Sequence, residues 1–128
     1  MTLKPVYVLV ADLFFATKIV KTAESMGLQA RAFDSADRLV QASKEKEPAL
    51  VLLDCGGLEK EAFHLIEQFR SDEKLSGIPR IGYLSHTAQD LRRQMQGAGC
   101  EAVYSKSEFT KGLENLLMRY AHGISSRI

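Results

Sequence analysis

The sequence has little of what marks secreted, membrane-spanning or nucleic-acid-binding proteins. Its two cysteines, Cys55 and Cys100, form no disulfide framework and lack metal-ligand spacing, so we expect free thiols in a reducing cytoplasm. No apolar run approaches the about 20 residues of a membrane-spanning helix, and residues 1–5 lead straight into a predicted strand without a signal peptide. The 17 basic and 16 acidic residues leave a net charge of +1, which gives no general attraction to nucleic acid or membranes.

Low-complexity segments and internal repeats are absent as well, which excludes repeat arrays and leaves a globular domain. The length of 128 residues is that of one domain. A domain of about 100–150 residues buries a sufficient core without disulfide or metal cross-links. We therefore predict a single domain over residues 1–122, followed by a short tail over residues 123–128.

Two apolar patterns alternate along the chain and predict the fold. Between the strands and after the last one, apolar residues recur at spacings of three and four, the period of a helix face. Ser35 offers an N-cap for the second helix, and Thr87 with Asp90 a capping box for the fourth. The alternation predicts an α/β, flavodoxin-like doubly wound (βα)5 domain with a five-stranded parallel sheet in the order 2-1-3-4-5. Short apolar runs predict its strands at residues 6–12, 28–33, 49–54, 78–85 and 101–104.

Asp54 is the strongest candidate for a functional residue. It ends the most apolar run in the chain, residues 49–54, which predicts a strand buried on both faces. A carboxylate beside a core is costly unless its charge is used. Gly56 and Gly57 let the backbone turn closely around whatever Asp54 holds.

Four polar side chains follow four of the predicted strands: Asp12, Asp54, Ser85 and Lys106. In a doubly wound sheet the ends of these strands open onto one crevice. Carboxylates there can hold a hard divalent cation through oxygen, and one of them can act as a nucleophile on phosphorus. A lysine and a hydroxyl can then neutralise and orient the oxygens of a transferring phosphoryl group.

The chain resembles the receiver domains of bacterial two-component response regulators over roughly residues 5–120. The likeness rests on four segments in the right order and at the right intervals: residues 50–54, 72–79, 84–85 and 99–106. The first is similar to the strand that carries the family's phosphoacceptor, the second to the link into strand four, the third to the phosphate-contacting Ser/Thr, and the last to the approach to its lysine.

The resemblance implies a role for each candidate residue. Asp54 would accept the phosphoryl group, and Ser85 and Lys106 would contact it. Asp12, Asp54 and the backbone carbonyl of Gly56 would hold Mg²⁺. A histidine kinase or another phosphodonor would supply the phosphoryl group, and a downstream protein target would read the change. Beyond self-phosphorylation at Asp54, the resemblance implies no enzymatic activity.

The chain also departs from the family's pattern, and the site is therefore partly degenerate. Ala11 stands where the family has a second carboxylate, which weakens the expected Mg²⁺ binding because affinity follows ligand charge and number. The remaining departures are Gly57 in place of a Met, His86 after the hydroxyl residue, Val103 in place of an aromatic, and Ser107 in place of a Pro.

The residues themselves leave other roles open. Asp54 could cap the turn that follows it, Asp12 could be the N-cap of the first helix, and Ser85 could simply end a strand. In a receiver that does not switch, Lys106 would pair with Asp54. Of two adjacent aromatics, Phe14 and Phe15, one must point away from the sheet, and its exposure would mark an interaction surface.

Three functions follow from these alternatives. The first is a receiver that is phosphorylated at Asp54 and switches its protein contacts. The second is a phosphorylation-independent pseudo-receiver that acts as an interaction module. The third is a small flavodoxin-like enzyme or cofactor binder, which the absence of a glycine-rich loop after the first strand disfavours. The apolar last helix also suggests a homodimer face.

Overall fold

The computed structural model describes residues 3–121. The predicted domain boundary at residue 122 and the predicted tail lie outside the described residues. Within them, no helix is long and apolar enough to cross a membrane. Strands and helices alternate strictly along the chain: β1 (Val6–Leu9), α1 (Leu13–Ser25), β2 (Ala30–Phe33), α2 (Ala36–Glu45), β3 (Leu50–Asp54), α3 (Glu59–Ser71), β4 (Arg80–Leu84), α4 (Gln89–Ala98), β5 (Ala102–Ser105) and α5 (Lys106–Tyr120).

The five strands form one sheet in the order β2-β1-β3-β4-β5, and every neighbouring pair is parallel. This confirms the predicted flavodoxin-like architecture. Parallel strands need crossover connections, which helices α1 to α4 supply, and all five helices cover a face of the sheet. The central strand β3 is therefore buried on both sides, and its residues before Asp54 have no exposed surface.

The core consists of two layers, one on each face of the sheet. Successive side chains of a strand point to opposite faces, so Leu50 and Leu52 pack with helices α1 and α5. Val51 and Leu53 pack on the other face, with α2, α3 and α4. Asp54 follows Leu52 in this alternation and therefore faces α1 and α5.

One helix start differs from the sequence prediction. Helix α4 begins at Gln89 with Ala88 as its N-cap, and no side chain caps it. The predicted capping box of Thr87 and Asp90 is wrong, because the Thr87 hydroxyl lies 3.0 Å from that of Ser85 instead. Ser35 caps α2 as predicted, through a bond from the Arg38 amide.

Helix α5 begins with a capping box that the sequence analysis missed. The Ser105 hydroxyl accepts from the Glu108 amide at 3.1 Å, and the Glu108 carboxylate accepts from the Ser105 amide at 2.9 Å. The hydrogen bond from the Ser105 amide to the carboxylate is the main cause that lowers the pKa of Glu108. The box fixes the start of α5 at Lys106, directly after β5.

Both cysteines are free and buried, as predicted. They share the space left by the missing side chain of Gly82 in β4. A Cβ placed on Gly82 would lie 2.6 Å from Cys55 Sγ and 3.6 Å from Cys100 Sγ. Contact with Cys100 and burial raise the pKa of the Cys55 thiol, so it stays protonated at neutral pH.

Gly99 ends helix α4 in a conformation that a side chain would strain. Its φ is +133°, and an added Cβ would lie 2.8 Å from Arg70 Cδ and 3.1 Å from Ile66 Cγ2. We expect Gly99→Ala to lower the free energy of unfolding by about 1–3 kcal/mol. Urea unfolding followed by circular dichroism measures the effect.

Gly112→Ala is the matched control for this substitution. Gly112 lies inside α5, and an added Cβ would meet nothing within 4 Å. Alanine there should raise the free energy of unfolding by about 0.5–1 kcal/mol, because it restricts the unfolded chain. Equal destabilisation by both substitutions would contradict the assigned role of Gly99.

Candidate functional site

The candidate residues lie at the carboxyl edge of four neighbouring strands. Asp54 is the last residue of β3, and Ser85 follows β4 directly. Lys106 opens α5 immediately after β5, and Asp12 lies between β1 and α1. The first strand was predicted to extend to residue 12, which is too long. It ends at Leu9, and the chain then turns toward α1.

Asp54 caps the turn that follows it. Its Oδ1 accepts a hydrogen bond of 2.7 Å from the Gly57 amide. The Leu58 amide donates to the Asp54 carbonyl, which closes the same turn at 2.9 Å. A Cβ on Gly57 would lie 2.3 Å from Asp54 Oδ2, so a side chain at position 57 would require the carboxylate to move from this position. The departure from the family's pattern at Gly57 is therefore tied to the conformation of the aspartate.

Asp12 caps helix α1. Its Oδ1 accepts from the amides of Phe14 at 2.8 Å and Phe15 at 3.2 Å. An aspartate at this position satisfies two of the free amides of the first turn and interacts favourably with the helix dipole. The side chain is exposed at the edge of the sheet. The role as N-cap that the sequence left open is thus seen in the structure.

Tyr83 joins the site and was missed by the sequence analysis. It is the register partner of Asp54 in the neighbouring strand, so both side chains leave the same face of the sheet. Its ring is 2% exposed and packs against Phe15 and Phe109, with ring centroids 5.1 and 4.5 Å away. The pairing of predicted strands three and four, with side-chain alternation, could have placed it beside Asp54.

The hydroxyl of Tyr83 is buried and has no hydrogen-bond partner among residues 3–121. Burial raises the pKa of Tyr83, and the negative charges of Asp54 and Asp12 raise it further. The phenol therefore stays protonated at neutral pH, and both carboxylates are close enough to act on it electrostatically.

Lys106 lies apart from the carboxylates. The side chain is exposed, and its Nζ lies 4.5 Å from the centroid of the Phe15 ring. Within residues 3–121, no ion pair joins it to Asp54 or Asp12. The ammonium thus contacts an aromatic face and not the anionic partner expected for a lysine at a buried strand end.

Ser85 and Gly56 bring two loops of the site together. Ser85 is exposed, and its hydroxyl lies 3.0 Å from that of Thr87. An added Cβ on Gly56 would lie 3.6 Å from Leu84 Cα and 3.9 Å from the Ser85 amide nitrogen. The loop after β3 therefore packs directly on the start of the loop after β4.

The donor set suits magnesium only with the help of water. No group of three or more His, Cys, Asp or Glu side chains in the described part of the chain could hold a metal ion. The carboxylates of Asp12 and Asp54 and the carbonyl of Gly56 are all oxygen donors at one edge of the sheet. Mg²⁺ prefers oxygen ligands and commonly keeps several waters. These three donors fit the ion if water molecules supply the remaining ligands.

An apolar pair lies beside the site. Leu13 is 81% and Phe14 91% exposed, in the first turn of α1. Phe15, by contrast, is half-buried and packs against the core. The prediction that one of the two adjacent aromatics points outward is confirmed, and Phe14 is that residue. Two large apolar side chains this exposed form a small patch of the kind found at interaction sites.

We expect Tyr83→Phe to leave the free energy of unfolding unchanged or to raise it by up to about 1 kcal/mol. The substitution removes a buried hydroxyl that has no partner in the described residues. Tyr7→Phe is the matched control, because the Tyr7 hydroxyl donates to the Lys46 carbonyl at 3.0 Å. Its loss should cost about 0.5–1.5 kcal/mol. A larger loss for Tyr83→Phe than for Tyr7→Phe, in urea unfolding, would show that Tyr83 has an unseen partner.

No family model matches the sequence, and no curated protein matches it either. The structure, however, matches solved receiver domains along nearly its whole length. A response regulator from Hahella chejuensis superposes with a TM-score of 0.80 at 17% identity, over 91% of this chain and 94% of that one. The receiver domain of a sensor histidine kinase from Pseudomonas aeruginosa, solved with magnesium in its active-site cleft, gives 0.78 at 17%, over 91% and 96%.

A phosphorylated cyanobacterial phytochrome response regulator, RcpA, gives a TM-score of 0.75 at 14% identity, over 93% of this chain and 94% of that one. Identities this low establish the fold and leave the chemistry of individual residues to be tested. The chain has the fold of response-regulator receiver domains.

Proposed function

We propose that this chain is a receiver-type signalling domain that accepts a phosphoryl group at Asp54. The observation that carries the proposal is the position of Asp54. It ends the buried central strand, at the edge of the sheet where Asp12 begins α1. Ser85 and Lys106 follow the next two strands of the same edge. The fold is shared with receiver domains that were solved with magnesium or in phosphorylated form.

The chemistry is a phosphoryl transfer to a carboxylate. An oxygen of Asp54 attacks phosphorus, the bond from phosphorus to the donor breaks, and its electron pair leaves with the donor group. Asp12, Asp54 and the Gly56 carbonyl would hold Mg²⁺, which supplies positive charge to the phosphoryl oxygens when it is bound. The hydrogen bond from Gly57 to Asp54 Oδ1 orients the nucleophile before the reaction.

The readout is a change in the loops that follow β4 and β5. Ser85 and Lys106 exchange their present neighbours, the Thr87 hydroxyl and the Phe15 ring, for phosphoryl oxygens. The connections into α4 and α5 move with them and change the surface offered to a downstream protein. In this proposal a cytoplasmic histidine kinase, a phosphorelay protein or a small phosphodonor supplies the phosphoryl group, and the domain catalyses nothing beyond its own phosphorylation.

A pseudo-receiver is the second candidate, and specific observations favour it. Ala11 provides no second acidic ligand, and both aspartates already serve as caps, Asp54 of a turn and Asp12 of a helix. The exposed pair Leu13 and Phe14 offers a contact surface that needs no phosphorylation. In α5, Met118 is 38% exposed and could contribute to a homodimer face. In this candidate the same edge of the fold binds a protein constitutively.

Beryllofluoride, which mimics a phosphoryl group, discriminates between the two candidates. In the presence of Mg²⁺, we expect saturable amide NMR shifts at Asp54, Ser85 and Lys106. Asp54→Asn is a matched control, because its side-chain oxygen can still accept from the Gly57 amide while the anionic nucleophile is lost. Shifts that persist in Asp54→Asn, or a spectrum unchanged in the parent protein, would contradict the phosphoacceptor and favour the pseudo-receiver.

Restoring a second carboxylate should strengthen magnesium binding. Ala11 precedes Asp12 and is exposed at the same edge. Because Mg²⁺ affinity rises with ligand charge, Ala11→Asp should lower the dissociation constant by about tenfold, which corresponds to about 1.4 kcal/mol. Isothermal titration measures the change. Asp12→Asn keeps the helix cap and should weaken binding; if neither variant alters the affinity, Asp12 and its neighbour are not ligands.

A further inference from the structure

The ammonium of Lys106 lies on a ring that is fixed in place. Lys106 Nζ is 4.5 Å from the Phe15 centroid. The Phe15 ring makes an edge contact with Tyr83, at 5.1 Å between centroids and 66° between planes, and a tilted contact with Phe109 at 6.1 Å. Tyr83 and Phe109 are themselves buried. The lysine therefore contacts a rigid aromatic cluster, whose three rings come from α1, β4 and α5.

The position of Lys106 at the start of its helix is electrostatically unfavourable for an ammonium without a partner. Lys106 is the first residue of α5, where the helix dipole is positive and disfavours a cation. The face of an aromatic ring carries partial negative charge and attracts an ammonium. Phe15 offers that face without taking the cation out of solvent, since Lys106 remains exposed.

Tyr83 separates this lysine from the aspartate. In the sheet, Asp54 pairs with Tyr83 and Tyr83 pairs with Tyr104, so the strand that leads into Lys106 is two strands away from Asp54. Two strand spacings amount to about 10 Å. The ammonium must therefore extend across the end of β4 to reach the carboxylate, whereas the centroid of the Phe15 ring lies 4.5 Å from the ammonium.

We propose that Phe15 is a positioning residue that holds Lys106 away from Asp54 in the unphosphorylated protein. The inference rests on the proposed function. It adds that Lys106 leaves the Phe15 ring only when the negative charge at Asp54 increases. A contact between an exposed ammonium and an aromatic ring favours the held position only about two- to fivefold. A phosphoryl group, with its greater negative charge, displaces the ring. The single charge of the unmodified Asp54, which the Gly57 amide already engages, does not displace it.

The position of Lys106 is tested first, by NMR of its side chain in the unmodified protein. Protons held over an aromatic face are shifted upfield, so the Lys106 Cε protons should resonate upfield of those of exposed lysines. The shift should disappear in Phe15→Leu and persist in Phe15→Tyr. Phe14→Leu is the matched control, because the Phe14 ring is 91% exposed, whereas the ammonium lies over the ring of Phe15. Unshifted Lys106 protons in the parent protein would overturn the proposal.

The competition is tested by the affinity for beryllofluoride at a fixed Mg²⁺ concentration. Phe15→Leu should bind it about two- to fivefold more tightly than the parent protein, since Lys106 no longer has to leave the ring. Phe15→Tyr and Phe14→Leu should bind with the parent affinity.

A double-mutant cycle with Lys106→Met separates positioning from a structural effect. The gain from Phe15→Leu should vanish when the lysine is absent, whereas a general loosening of the site would persist. A gain that is independent of Lys106, or no gain in Phe15→Leu, would overturn the proposal. Beryllofluoride binding to none of the proteins would instead overturn phosphorylation at Asp54 and the competition with it, while the side-chain resonance still reports where Lys106 lies.

Discussion

The burial of a parallel sheet on both faces is the constraint on which the rest of this structure depends. Helices cover both sides of β3, whose residues before Asp54 have no exposed surface. Charged side chains are therefore absent from the middle of the central strands β1, β3 and β4 and occur only at strand ends. Since all strands run in the same direction, the carboxyl ends of β1, β3, β4 and β5 lie at one edge. The location of the candidate site therefore follows from the direction and burial of the strands, whatever chemistry its residues perform.

At this edge, single side chains serve the fold and the site together. Asp12 begins α1 with its carboxylate, and Asp54 closes the turn after β3 with its own. A carboxylate that accepts backbone hydrogen bonds is held in one orientation, and a second oxygen remains on the same group. The same residues can thus belong to a receiver that is phosphorylated and to one that has lost the switch. What separates the two candidates is the neighbourhood: Ala11, the ring under Lys106, and the apolar pair at the start of α1.

The sequence was sufficient for the fold and for the prediction that the candidate residues lie at one edge of the sheet. The apolar runs ending near Asp12 and Asp54, alternating with helical stripes, indicate a parallel sheet covered by helices on both faces. Errors occurred where local signals compete. Thr87 was assigned to a helix cap, but its hydroxyl forms a hydrogen bond with the hydroxyl of Ser85 instead. The capping box of Ser105 and Glu108 was readable from its spacing and was overlooked.

Contacts across the sheet were beyond the sequence. Nothing in the spacing of Lys106 and Phe15 along the chain reveals that the ammonium lies on that ring, because the contact requires α1 and α5 to share one face of the sheet. The Tyr83 hydroxyl has no hydrogen-bond partner among residues 3–121, and its burial likewise depends on three rings that come together only in the fold. Such contacts between distant elements determine which groups the candidate residues contact, whereas the location of these residues follows from local patterns.

Gly57 has a consequence for the entropy of any reaction at Asp54. An aspartate at a strand end ordinarily samples several rotamers, and a reaction must first select one of them. Here the missing side chain leaves room for the carboxylate against the backbone, and the amide of Gly57 holds it there. The loss of side-chain freedom thus occurs when the chain folds, not when a partner arrives. A phosphodonor, or a protein that binds this edge, therefore encounters an Asp54 carboxylate that is already oriented.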